Sequence, residues 1–399
     1  MIEKRLVFVF PGFEPMPITA HMDRFARAAA RTAPLWDTRL AIEPTDRRAE
    51  TEAATHRGVL RAELTGHGWR THTDLVFCDW SDLILAYAGR SSLRRLISGL
   101  AGLCDFLVTG TVFRYARVSW RYLFFYLFPL AVLAGTLFGG WIIGGLVAAL
   151  APLPGPAGLL VAVLAGLATA WALLLYANRR LHVLTAMDDW AMARDFCRER
   201  NPAITRRIDA HAEAMRHAVA GTEADEIVIA AHSLGASLAV LALDRALAAG
   251  LRRDRPLQVL TVGSSLMKTA LHPAAGAQRQ AVREIVVTHA VPWIDVQGLS
   301  DPINFYRSDP ARSLGIREGE APTVMRIRFK RLVTTATYRR IKRDFFRLHR
   351  QFVLAVERRS AYSFHMLLLG PRPLVDYGRL ETVDLPPLSP PTTGEGARP

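Results

Sequence analysis

From Tyr122 to Asn178 the sequence contains no Asp, Glu, Lys, Arg or His. A helix needs roughly 20 apolar residues to cross a bilayer core, and this window holds two crossings and a turn. Ala151-Pro152-Leu153-Pro154-Gly155-Pro156 supplies the turn, because closely spaced prolines remove amide donors and break a helix. The spans are predicted at 123–150 and 159–177. Gly135, Gly139, Gly140, Gly144 and Gly145 recur at spacings that let two helix backbones approach closely. Arg114, Arg117 and Arg121 precede the first span, Arg179 and Arg180 follow the second, and the turn is uncharged. The excess of positive charge on cytoplasmic flanks predicts an inner (plasma) membrane protein with both termini cytoplasmic. Trp120, Tyr122, Tyr126 and Tyr176 stand where an aromatic belt would lie.

An antiparallel hairpin returns close to where it left, so the two flanking parts emerge on one membrane face. Residues 1–113 and 181–380 are therefore expected to form one discontinuous domain around a membrane hairpin at 114–180. The Pro-, Thr- and Gly-rich stretch 381–399 reads as a disordered tail. The composition fits a membrane part: 50% of the 399 residues are hydrophobic, and the mean hydropathy is +0.14. The formal net charge of +14 attracts polyanions. No nucleic-acid-binding signature accompanies it, so membrane lipid is the expected partner and nucleic acid is not. Cys78, Cys104 and Cys197 are far apart, which implies neither a disulfide framework nor a zinc site. The opening run Leu6–Phe10 is too short for a secretory signal. The oligomeric state is left open.

Outside the hairpin, short apolar runs alternate with helical patterns. Strands are predicted at 5–10, at 58–65 and 70–79 around a Gly66-His67-Gly68 turn, and at 226–231, 257–262, 284–290 and 323–332. Helices are predicted at 20–33, at 201–220 with Asn201 as cap and Pro202 in the first turn, and at 237–249. Such alternation gives an α/β fold: a mainly parallel sheet covered by helices, with reactive groups at the carboxyl ends of its strands. Residues 338–350 are strongly basic with interleaved aromatics, and are predicted to form an amphipathic helix suited to an anionic leaflet.

The most informative stretch for chemistry is Ile227-Val-Ile-Ala-Ala-His-Ser-Leu-Gly-Ala-Ser-Leu. A β-branched run ends in small residues, Ser233 follows, and a good helix begins near Gly235. A corner of this kind lifts a serine hydroxyl above the sheet, with Ala231 and Gly235 where bulky residues would collide. The following helix aims its first amides at the corner and favours negative charge there. This is the logic of the nucleophile elbow G-x-S-x-G, with Ala231 in the first glycine slot.

Together with Thr261-Val-Gly-Ser-Ser and Asp301-Pro-Ile, the elbow resembles the α/β-hydrolase superfamily, closest to its lipases and esterases. The likeness covers mainly residues 226–303. It implies hydrolysis of carboxylic esters through an acyl-serine, without metal or organic cofactor. A hydrophobic ester, drawn from lipid in the bilayer, is the expected substrate. A membrane hairpin inside the catalytic domain is not a usual feature of that family. The rival reading is a non-catalytic membrane adaptor that keeps the fold.

A serine hydroxyl needs a histidine base, and the histidine needs an acid to fix its tautomer. The family's chain order of serine, acid, histidine leaves His349 and His365 among the 12 histidines. Asp295 and Asp301 both qualify as the acid. The likeness of Asp301-Pro-Ile to a lipase loop favours Asp301, and Asp309 stands third. His349 is preferred as base because His365 sits in an apolar run. The oxyanion donors are expected to be the amide of Leu234 and that of Gly12 or Phe13, in the loop after the first strand. Gly263-Ser-Ser is not a phosphate loop, and no His-Glu-x-x-His run exists.

Overall fold

The computed structural model describes residues 1–43, 56–150, 155–360 and 362–378. It contains two compact units: Met1–Leu85 with Phe196 onward, and Ala86–Asp195.

The first unit is built on β1 (Lys4–Phe10), β2 (Arg39–Ile42), β3 (Arg57–Gly66), β4 (Trp69–Cys78), β5 (Glu226–His232), β6 (Leu257–Val262), β7 (Trp293–Gly298) and β8 (Thr323–Ile327). They form one sheet in the order β2-β3-β4-β1-β5-β6-β7-β8. Every pairing from β4 to β8 is parallel, and β2 and β3 add an antiparallel edge. The fold class is therefore α/β with a mostly parallel eight-stranded sheet. Parallel strands covered on both faces need continuous apolar runs, and β5, β6 and β7 are buried at every position. On the antiparallel side, β3 and most of β4 alternate buried with more open positions.

Two connections place the site. From β1 the chain reaches β4 on one side of it and β5 on the other. The carboxyl ends of β1 and β5 thus flank a switch point, where open α/β sheets leave a crevice. Gly12 follows β1, and Ser233 follows β5.

The opposite end of the sheet carries a buried ion pair. Arg5 Nε lies 2.6 Å from Glu226 Oε2, with both side chains fully buried. The Arg5 guanidinium also donates to the carbonyls of Leu368, Gly370 and Arg372. Glu226 Oε1 accepts from Gln258 Nε2 and from the Leu374 amide. A buried charge survives only when its bonding capacity is met. This pair meets it by clamping residues 368–374 to the sheet.

Three expectations are corrected. Residues 284–290 are not a strand: the helix Gly276–Arg283 runs on into a π turn, Glu284–Thr288, with the His289 amide bonded to Glu284 O at 2.8 Å. A short β-branched run fits a buried helix as well as a strand. The true strand is β7, which puts Asp295 inside a strand rather than in the loop beyond it. The strand predicted at 323–332 stops at Ile327, and a short helix, Phe329–Leu332, follows. The basic helix predicted at 338–350 is two helices, Thr335–Ile341 and Phe345–Arg350. Asp344 separates them and caps the second, its Oδ1 accepting from the Arg347 amide at 3.0 Å.

The second unit is helical. Tyr122–Leu150 and Pro156–Leu181 are both long and apolar enough to cross a membrane. They pack through small residues. A Cβ on Gly140 would strike the Gly166 carbonyl oxygen, and one on Gly144 would lie 2.7 Å from the Ala162 oxygen. Gly139 faces Leu173, whereas among the described residues Gly135 and Gly145 meet nothing within 4 Å, so only part of the glycine pattern is a packing seam. Shorter helices, Ser92–Val108 and Thr111–Ser119, belong to the same unit. They gather with the start of the first apolar helix around Trp190, whose ring lies 5.2 Å from Phe106 and 5.3 Å from Tyr126. Of the predicted turn, 151–154 lie outside the described residues, as does the tail from 379.

Candidate active site

The backbone makes the first contribution. Ser233 has φ +55°, a left-handed conformation unusual for a residue with a side chain. It stands between β5 and the helix Gly235–Ala248. The bend is tight: a Cβ on Gly235 would lie 2.6 Å from Phe10 O and closer still to Pro11 O, which excludes any other residue there. The Ser233 amide bonds to Val262 O at 3.2 Å, and the Ser265 amide to Ser233 O at 3.1 Å. The corner is thus tied to the end of β6. Ser233 Oγ lies 3.5 Å from Ser265 Oγ, at the limit of bonding distance.

The acid and the base come from later in the chain. Asp301 and His349 meet, with His349 Nδ1 2.7 Å from Asp301 Oδ2. The Asp301 side chain is fully buried. Its other oxygen accepts from the Ile303 amide at 2.9 Å. Asn304 braces the loop, donating to the carbonyls of Asp301 and Gly298 while accepting from the Gly298 amide. With Nδ1 engaged by a carboxylate, Nε2 is the free end of the ring. It is buried and has no hydrogen-bond partner among the described residues, so no bond joins it to Ser233 Oγ.

Asp295 and His365 fall elsewhere. Asp295 accepts from Thr261 Oγ1 at 2.5 Å and Gln297 Nε2 at 2.8 Å. Burial pushes its carboxyl up to about 6, against those two hydrogen bonds. Gln297 also donates to Ser308 O and accepts from the Arg307 amide, so Asp295 is a strut for the loop that carries Asp301. His365 is in the core, 4.8 Å from the Phe25 ring. Burial alone brings its imidazole down to about 3. Asp309 caps its own turn through the amides of Ala311 and Arg312.

Of the expected oxyanion loop, Gly12 packs directly against the serine corner. A Cβ on Gly12 would lie 3.0 Å from Ser233 Cβ and 2.7 Å from His232 Nδ1, so only glycine lets this loop come so close. Among the described residues, the amides of Gly12, Phe13 and Leu234 donate to no acceptor. The loop is held from behind. Trp80 Nε1 donates to Pro11 O at 3.0 Å. Glu14 takes a two-pronged bond from Arg24, and Arg24 Nη2 meets His21 Nδ1 at 2.9 Å. Burial opposes a charge on Glu14, but the Arg24 bonds and charge hold its carboxyl down at about 2. Behind Gly12 a cavity of about 30 Å³ is bordered by His21, Arg24 and His232.

Sequence reasoning missed three neighbours. His232, inside the elbow motif, lays its ring 4.8 Å from that of His349, tilted by 31°. Its Nε2 meets His349 O at 3.4 Å. Burial, then the neighbouring His349, holds the His232 imidazole well below its ordinary value, so it is neutral. Gly263, at φ +55°, leaves room for Phe352 and for His349 Cε1, 3.2 Å from where its Cβ would stand. Ser265 is the residue beside the Ser233 hydroxyl. A glycine and two serines at the carboxyl end of a strand were the available signal for the last two.

The arrangement holds a buried serine corner, a carboxylate–imidazole pair and, among the described residues, unbonded amides at the carboxyl end of the sheet. Among the described residues, no group of three His, Cys, Asp or Glu side chains could hold a metal ion. No family model, curated protein or solved structure matches the chain.

Proposed function

We propose that this protein is a membrane-anchored serine hydrolase of the α/β-hydrolase type that cleaves carboxylic esters. One observation carries the reading: the buried Asp301–His349 pair stands at the same carboxyl end of the sheet as a serine held at φ +55°. Ser233 attacks the ester carbonyl while His349 Nε2 takes its proton. Asp301 keeps the proton of the other ring nitrogen on Nδ1 and stabilises the imidazolium that forms. The amides of Leu234 and of Gly12 or Phe13 receive the oxyanion. His349 then protonates the leaving alcohol, and water, activated by the same ring, releases the acid from Ser233. The reaction needs His349 Nε2 to close on Ser233 Oγ, a tightening that occupied sites often show relative to empty ones.

The two apolar helices support a bilayer location, and the arginines at their flanks support a cytoplasmic face for the catalytic part. Lipid esters reaching the site from the bilayer are the substrate class we favour. A non-catalytic adaptor with the same fold is the second reading, favoured by the unbonded Nε2 of His349. Turnover of p-nitrophenyl esters separates the two. The hydrolase should give a burst of one nitrophenolate per chain followed by steady release, both lost in Ser233→Ala. Absence of turnover with short and long acyl chains alike favours the adaptor.

A further inference from the structure

Between Arg326 and Arg359 the sequence holds twelve Arg or Lys against two acids, Asp344 and Glu357. That is a surplus of ten positive charges in a chain whose formal net charge is +14. The structure leaves this charge on the surface. Arg326, Arg328, Arg339, Arg340, Lys342 and Arg343 are all exposed. None of the six makes an ion pair among the described residues. The two acids are already engaged. Asp344 caps the helix Phe345–Arg350 and pairs with Arg347 at 3.1 Å. Glu357 accepts from the Thr334 amide and from Thr337 Oγ1, closing the start of the helix Thr335–Ile341. Tyr338, Phe345 and Phe346 are half-buried between the cations.

Uncompensated charge at this density repels itself and destabilises the compact state unless an anionic partner answers it. We infer that the segment from β8 through the helix Phe345–Arg350 is a docking surface for an anionic lipid headgroup layer. Two features select a lipid layer over another polyanion. Two helices of the same chain are long and apolar enough to hold it at a bilayer, where cations near an anionic leaflet are attracted within a Debye length. Aromatic rings between cations also suit the headgroup boundary, which accepts an apolar body with a polar rim. The inference goes beyond the hydrolase reading and does not depend on it. It does bear on the site, because His349 lies on the helix Phe345–Arg350.

The test is hydrogen exchange of residues 335–350 in the full-length protein, held in nanodiscs of phosphatidylcholine alone or with about one-third phosphatidylglycerol. Exchange should be slower on the anionic discs. That protection should fall about fivefold for each charge removed in the series Arg339→Gln, Arg340→Gln, Lys342→Gln, Arg343→Gln. It should vanish for the unmodified protein near 1 M salt, where the screening length is about 3 Å. The salt arm keeps the test decisive should a variant misfold. Equal exchange on both discs overturns the inference. So does protection by an added RNA oligonucleotide with none from the anionic discs. Loss of esterase activity leaves this readout untouched, so the two proposals fail separately.

Discussion

Asp301 and His349, 48 positions apart, are joined by one bond of 2.7 Å in which the carboxylate is fully buried. That bond sets which ring nitrogen can face the serine. Asp301→Asn should therefore preserve the fold and lower kcat by about 10²- to 10⁴-fold, because the ring loses its tautomer control. Asp295→Asn should lower it far less. Steady-state ester hydrolysis with both variants, compared at matched melting temperature, checks the difference.

Gly12 is the second sensitive point. Any side chain there meets His232 and Ser233, so Gly12→Ala must push the loop away from the serine. The expected cost is about 10²-fold in kcat with KM little changed, the signature of a lost oxyanion donor. A change confined to KM would assign the loop to substrate binding instead.

Asp295 makes stability depend on pH with a definite sign. Its folded carboxyl is raised to about 6 by burial, above an unfolded value near 4. The folded state then binds the proton more tightly. The resulting stabilisation is full below about pH 4 and is lost as pH rises through about 6, a change on the order of 3 kcal/mol. Asp295→Asn should flatten that part of the profile. Denaturant midpoints measured across this window for both proteins decide it.

The Arg5–Glu226 pair predicts asymmetry between single and double substitution. Glu226→Ala strands a guanidinium in the core and should cost about 3–5 kcal/mol. Replacing both partners by Met and Leu should recover much of that loss. Thermal unfolding of the two variants measures it, and equal losses would show that the clamp on residues 368–374 is the larger contribution.

Much of this was legible in the chain. The strand before Ser233 and the helix after it announced themselves because a β-branched run, small residues and a helix former follow one another within a few positions. The apolar hairpin was legible because charge is absent over its whole length. What could not be read was set by distance. Asp301 and Asp295 are both acids near a strand end, and only the observed strand Trp293–Gly298 shows that one is a strut and the other meets His349. Ile285 and Val286 read as strand, yet they are buried in a helical turn, since burial rewards the same residues in either conformation. Arg5 opened an apolar run and gave no sign that Glu226, on a strand far along the chain, would neutralise it. His232 looked like a spacer within a motif until its ring was seen against His349.

The most direct test of the central claim is mass mapping of a fluorophosphonate adduct on the full-length protein. One covalent adduct per chain on Ser233, absent from Ser233→Ala and slowed in His349→Ala, is the result this account predicts. No adduct on the folded protein, or one that persists in Ser233→Ala, would contradict it.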